Sequence, residues 1–85
     1  MKNLQKINDK AIKGGWAWKY EPSDYNDVAF AHYMSPLLEV SFWQAVCITQ
    51  GRKPEEAKKL MMFFIDFLFE KGNVDDALGE IIKLN

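Results

Sequence analysis

The longest apolar run in the chain covers residues 60–69, with the sequence LMMFFIDFLF. Nine of these ten residues are apolar, and four of the nine are phenylalanine. The preceding KPEE segment at 53–56 has the proline and acidic side chains typical of a helix start. Gly72 follows at the position where helices commonly end. The pattern therefore predicts a helix from Pro54 to Lys71.

Four polar side chains of this helix make one narrow stripe of the helical wheel: Glu55, Lys59, Asp66 and Glu70. Apolar residues cover the rest, roughly two-thirds of the circumference. A helix with so wide an apolar surface has to be covered by other helices or by another chain. We therefore expect it to be the central helix of the fold and to support self-association.

Two further helices are predicted near the ends of the chain. Residues 2–13 place Leu4, Ile7 and Ala11 at helical spacing, and the Gly14-Gly15 pair ends that helix. The Asp75-Asp76 pair opens a short final helix, because acidic side chains in the first turn interact favourably with the helix dipole.

The middle of the chain is less regular. Ser35-Pro36 is a helix-start signal and predicts a mostly buried helix from Pro36 to Gln50. The β-branched and aromatic residues of 40–49 keep a pair of strands as the alternative interpretation. Ser23 or Asp24 can cap another helix that runs to about Met34.

The segment Trp16–Tyr20 alternates large aromatic residues with smaller or polar ones. This spacing is typical of extended chain, although no partner strand is evident. Taken together, the patterns predict an all-α protein: one compact domain over residues 1–85, built from four to five short helices and an extended aromatic segment. A chain of this length buries only about 60–65% of its unfolded surface, so oligomerisation is expected to add stability.

Composition narrows the location and the chemistry. The net charge is −1, and Cys47 is the only cysteine, so no internal disulfide can form. One cysteine and one histidine cannot supply the four ligands of a structural zinc site. The run at 60–69 is about half the length of a membrane span, and Asp66 interrupts it. We therefore expect a cytoplasmic protein that binds no metal or cofactor and does not enter a membrane.

Candidates for catalysis are few. His32 and Cys47 belong to different predicted helices, and no local signature of a nucleophile and its base surrounds either of them. Cys47 stands between Val46 and Ile48, which is typical of a small core residue. No phosphate loop or nucleotide fingerprint is present. The sequence therefore predicts a protein that is not an enzyme.

These observations favour a small protein-interaction module. It would act as a regulator or stoichiometric inhibitor of another protein, and it would form a homodimer through helix 54–71. Small inhibitors encoded by phages and mobile elements resemble it in length and in their lack of motifs. Tryptophan, tyrosine, phenylalanine and methionine are the residue types enriched in interface cores, and the candidate interface residues are chosen among them. These are Trp16, Trp18, Phe63, Phe67 and Phe69.

Two other functions remain open at this stage. The lysines of the first helix could contact nucleic-acid phosphates while the neighbouring tryptophans stack on bases. This basic face consists of Lys2, Lys6, Lys10 and Lys13. The slightly negative net charge makes such binding weak at physiological salt. The other possibility is an enzyme subunit whose active site is completed by a partner chain.

Overall fold

The computed structural model describes residues 2–17 and 35–84, and within these ranges it contains four α-helices and no strand. They are α1 (Lys2–Lys13), α2 (Val40–Thr49), α3 (Ala57–Lys71) and α4 (Val74–Lys83). Short 3₁₀ turns occupy Ser35–Leu38 and Pro54–Glu56. The all-α prediction is confirmed. Among the described helices, none combines the length and the apolarity needed to cross a bilayer.

Some predicted elements lie outside the described residues. The helix expected to end near Met34 is one of them. Of the aromatic segment Trp16–Tyr20, only Trp16 and Ala17 are described, and neither belongs to a regular element.

The core lies where α2 meets the other helices. Phe42 and Trp43 of α2 are completely buried, and their rings meet edge to face with centroids 5.4 Å apart. Phe64 of α3 packs on Trp43 with ring centroids 5.6 Å apart. The buried apolar residues of α1 and α4 complete the cluster: Leu4, Ile7, Ala11, Ala77, Leu78 and Ile81.

The prediction of one helix from Pro36 to Gln50 is wrong in its first part. A 3₁₀ turn covers Ser35–Leu38, Glu39 is extended, and α2 begins only at Val40. The physical cause is Trp43, whose indole N–H donates to the Leu37 carbonyl oxygen at 2.7 Å inside the core. In a continuous α-helix that oxygen would accept from a backbone amide four residues later.

The strand alternative for residues 40–49 is also wrong, because this segment is α-helical. The prediction that the helix is mostly buried holds for one side only. Phe42, Trp43 and Val46 face the core, whereas Gln44 and Ile48 are exposed.

The predicted C-terminal ends of α1 and α3 are confirmed. At the end of α1, the Trp16 amide donates to the Ala11 oxygen and the Gly15 amide donates to the Ile12 oxygen. This is the hydrogen-bond pattern of a Schellman motif, and Gly15 takes the positive φ, 101°, that the motif requires. At the end of α3, the Gly72 amide donates to the Leu68 oxygen.

The first turn of α1 is capped by a residue of the last helix. Asp75 Oδ1 accepts hydrogen bonds from the backbone amides of Asn3 and Leu4 at 3.0 and 3.2 Å. The Asn3 side chain in turn donates to the Asp75 carbonyl oxygen at 3.0 Å. Since α1 has no acidic residue in its own first turn, a carboxylate from α4 takes the role of its N-cap.

We expect Asp75→Ala to lower the free energy of unfolding by about 1–2 kcal/mol, because two amides of α1 lose their acceptor. Urea denaturation followed by circular dichroism measures the change. Asp9→Ala is the matched control, since Asp9 is exposed on α1, and its effect should stay within about 0.5 kcal/mol. Equal effects of the two substitutions would show that the cap contributes nothing.

Candidate protein-interaction surface

One side of α3 faces solvent along the whole helix. Its residues are three or four positions apart, so they form a continuous surface. We call it the outer α3 face, and it consists of Lys59, Met62, Phe63, Asp66, Phe69 and Glu70, all of which are exposed.

The opposite side of α3 determines which residues face outward. Ala57, Leu60 and Phe64 recur at helical spacing and are buried against the core. Phe64 is only 2% exposed and lies on the Trp43 ring, which fixes the rotation of the helix about its axis. Side chains half a turn away from Phe64 therefore have no cover from the described part of the chain.

The outer α3 face carries large apolar side chains. Phe69 is 84% exposed, Met62 is 48% exposed and Phe63 is 38% exposed. Isolated exposed apolar residues are normal on protein surfaces, whereas neighbouring ones at helical spacing are typical of interaction sites. The Phe63 ring is partly shielded by Lys59, whose Nζ lies 5.8 Å from the ring centroid.

Charge on this face changes sign along the helix. Lys59 lies toward its N-terminal end, while Asp66 and Glu70 lie toward its C-terminal end. Glu70 pairs with Lys71 at 3.9 Å. Among the ion pairs between residues that the structure describes, none involves Asp66.

The polar stripe predicted for this helix is correct for Lys59, Asp66 and Glu70, which are exposed together. The prediction that apolar residues lie only outside the stripe is wrong. Met62 and Phe69 lie on the same side as Asp66, because they are four positions before it and three positions after it. The face is therefore mixed apolar and charged.

The five predicted interface residues do not form one surface. Phe63 and Phe69 share the outer α3 face, but Phe67 is half-buried and packs against the core. Trp16 lies against α2, where its ring meets Phe42 edge to face at 5.4 Å. Trp18 lies outside the described residues.

Met62 is the interface candidate that the sequence interpretation missed. Its spacing to Asp66 and Phe69 was visible in the sequence. The predicted interface set contains only tryptophan and phenylalanine, although methionine is also enriched in interface cores.

Because Asp66 is exposed and forms no ion pair with the described residues, we expect Asp66→Ala to change the stability of the dilute monomer by less than about 0.5 kcal/mol. Thermal unfolding of both chains at low concentration tests this. A loss above about 2 kcal/mol would contradict it, since such a loss is typical of a broken buried pair.

The predicted basic face of α1 is only partly supported as a charged surface. Lys2, Lys6 and Lys13 are exposed, and Lys10 is half-buried. Lys6 lines a cleft of about 370 Å³ that also includes Lys71, Lys83, Asp76 and Glu80.

Two carboxylates, those of Asp76 and Glu80, accompany the three lysines in this cleft. Glu80 Oε1 lies 3.9 Å from Lys71 Nζ and 3.5 Å from Lys83 Nζ. A nucleic-acid phosphate placed there would meet carboxylates as well as ammonium groups. Within this cleft, the carboxylates weaken the phosphate contacts that nucleic-acid binding requires.

The described residues offer no reactive thiol at the surface. Cys47 is completely buried. Burial raises the pKa of its thiol, the negative charge of Glu56 raises it further, and Arg52 lowers it. Burial and the raised pKa both disfavour the thiolate, which is the reactive form of cysteine. His32 lies outside the described residues, and those that are described contain no cluster of possible metal ligands.

Comparison with known proteins gives a short local similarity. A stretch of 39 residues, 46% of this chain, is 46% identical to cytochrome c oxidase subunit 2 of Drosophila bifasciata and, to the same extent, of Drosophila subobscura. The chain spans 17% of the length of these relatives. No family model and no solved structure matches the chain.

Proposed function

We propose that this chain is a non-catalytic protein-interaction module that binds through the outer α3 face and acts stoichiometrically as a regulator or inhibitor. The observation that carries the proposal is the exposure of Phe69, Met62 and Phe63 on one side of a helix whose other side packs against the core. The buried Cys47 thiol, with its raised pKa, supports action by binding rather than by covalent chemistry.

The composition of the face fits protein recognition. Phenylalanine and methionine provide apolar area that gains free energy when a partner covers it, and burying one such side chain fully contributes about 1.5–3 kcal/mol. Lys59, Asp66 and Glu70 flank these residues. Charges beside apolar anchors orient a partner more than they tighten its binding.

Site-specific photo-crosslinking tests this proposal. The photoreactive residue p-benzoylphenylalanine is placed at position 69, and at position 5 as a control, because Gln5 is exposed on α1. Each purified chain is irradiated alone and in an extract of the source cells. We expect a discrete protein adduct from position 69 and none from position 5.

A competition experiment tests whether the adduct forms through the outer α3 face. Excess unlabelled chain should remove the adduct, whereas excess chain carrying Phe63→Ser and Phe69→Ser should leave it. An adduct removed equally by both competitors, or no discrete adduct at all, would exclude the outer α3 face as a docking surface.

A further inference from the structure

We propose that the outer α3 face binds a second copy of this chain, with the two α3 helices antiparallel and related by a two-fold axis between Met62 and Phe63. This inference rests on the proposed function, since it names the occupant of the same surface. It is carried by the order of charges along the helix.

The charge order is self-complementary in one direction only. Lys59 and Asp66 are seven residues apart, about two helical turns, so both lie on the outer α3 face. Their midpoint falls between Met62 and Phe63. In an antiparallel pair centred there, Lys59 of each copy lies opposite Asp66 of the other. A parallel pair would instead place Lys59 against Lys59 and Asp66 against Asp66, which is repulsive.

Both charged groups are available for this pairing. Asp66 has no ion-pair partner among the described residues, and Lys59 lies over its own Phe63 ring without a described carboxylate partner. The centre of the contact is apolar, because Met62 of one copy meets Phe63 of the other. The arrangement therefore combines an apolar centre with two identical ion pairs around it, as a two-fold interface requires.

By the same register, the remaining acidic residue on the face, Glu70, lies opposite Glu55 of the other copy, a like-charge pair that opposes the arrangement only weakly. Glu70 lies about 11 Å along the axis from the two-fold centre, where helices that cross at an angle have begun to separate. It also has its own partner in Lys71.

The size of the contact sets its strength. A helix of 15 residues is about 22 Å long, and one face of it is smaller than a standard protein interface. We therefore expect a rapid monomer–dimer equilibrium with a Kd on the order of 100 µM rather than a permanent dimer.

Charge-reversal variants examined by sedimentation equilibrium test the pairing. Lys59→Glu and Asp66→Lys should each weaken the dimer about tenfold or more, because each turns two attractive pairs into repulsive ones. The double variant should recover a Kd within about threefold of the original chain. Since both residues are exposed, all three variants should keep the circular dichroism spectrum of the original chain.

Apolar substitutions provide the matched control. Met62→Ser should weaken the dimer, whereas Ile48→Ser should leave the Kd unchanged, because Ile48 is 54% exposed on α2 and lies outside the contact. A chain that is strictly monomeric at about 1 mM, or a double variant no better than either single variant, would overturn the antiparallel dimer.

The crosslinking experiment distinguishes failure of the homodimer proposal from failure of the proposed function. A monomeric chain that still gives a competed adduct at position 69 in the extract would retain the docking surface and lose only the homodimer. A monomeric chain with no adduct would overturn both proposals.

Discussion

Replacing Trp43 by alanine should cost about 3–5 kcal/mol of unfolding free energy, the largest loss we expect from any truncation in this chain. Trp43 is completely buried, contacts the rings of Phe42 and Phe64, and donates its indole N–H to the Leu37 oxygen at 2.7 Å. Alanine would leave a cavity among α2, α3 and the turn before α2, and it would leave the Leu37 carbonyl unsatisfied. A domain of this size has little stability to spare, so much of the variant should be unfolded at 37 °C.

Urea denaturation monitored by circular dichroism measures this loss. Trp43→Phe helps to separate the two contributions, because it keeps a six-membered ring in the core and removes the hydrogen bond together with the smaller ring of the indole, at a cost of about 1–3 kcal/mol. Ile48→Ala is the surface control on the same helix and should stay below about 1 kcal/mol. If Trp43→Ala cost no more than Ile48→Ala, Trp43 could not be the centre of the core.

Gly14→Ala should destabilise the protein by about 3 kcal/mol or more, although it adds only one methyl group. The end of α1 passes so close to α2 that a Cβ atom at position 14 would overlap the Ala45 carbonyl oxygen and lie 2.7 Å from its carbonyl carbon. Both atoms belong to the backbone, so no rotamer change can relieve the overlap. The two helices would have to move apart and loosen the contact between Ala11 and the core.

Gly15→Ala is the matched control for this substitution. The neighbouring glycine has no atom within 4 Å of a Cβ, but its φ of 101° disfavours any other residue. We expect a cost of about 1–2 kcal/mol from backbone strain alone. Thermal unfolding of the two variants compares close packing with strain at adjacent positions. If Gly14→Ala lowered the stability of the protein no more than Gly15→Ala does, α1 and α2 would not be in tight contact.

Local signals in the sequence were sufficient to predict most helix ends. Gly14-Gly15 and Gly72 end α1 and α3 where expected, because a positive φ or a missing Cβ is a property of the residue itself. The start of the last helix was placed one residue late. Its N-cap is Asn73, whose side chain accepts from the Asp76 amide.

The break at Glu39 could not be predicted in the same way. The Ser35-Pro36 signal correctly indicates a helical turn, but the extended Glu39 depends on a hydrogen bond between Trp43 and Leu37 inside the core. The Asp75 cap of α1 could not be predicted for a different reason, since it joins residues 72 positions apart. The Asp75 cap exists only once α1 and α4 have packed, whereas the Trp43–Leu37 bond joins residues six positions apart but depends on the burial of the Trp43 ring in the core.

The candidate site was predicted in part. The excess apolar surface of helix 54–71 correctly indicated exposed Phe63 and Phe69. The run at 60–69 contains four phenylalanines, and the sequence alone does not tell which of them are buried. The burial of Phe64 and the half-burial of Phe67 depend on which side of α3 meets Trp43. The positions of Trp43 and Phe64 therefore decide the composition of the outer α3 face.

The bond between Asp75 and the first turn of α1 also bears on the order of folding. Helices α3 and α4 are joined by only Gly72-Asn73, so their contacts form after a short loop closure. Helix α1, in contrast, must reach α4 across most of the chain. We therefore expect α1 to dock after the transition state. Weakening its cap should then leave the folding rate almost unchanged and accelerate unfolding. The lifetime of the folded protein thus depends on how firmly its first helix is held by its last.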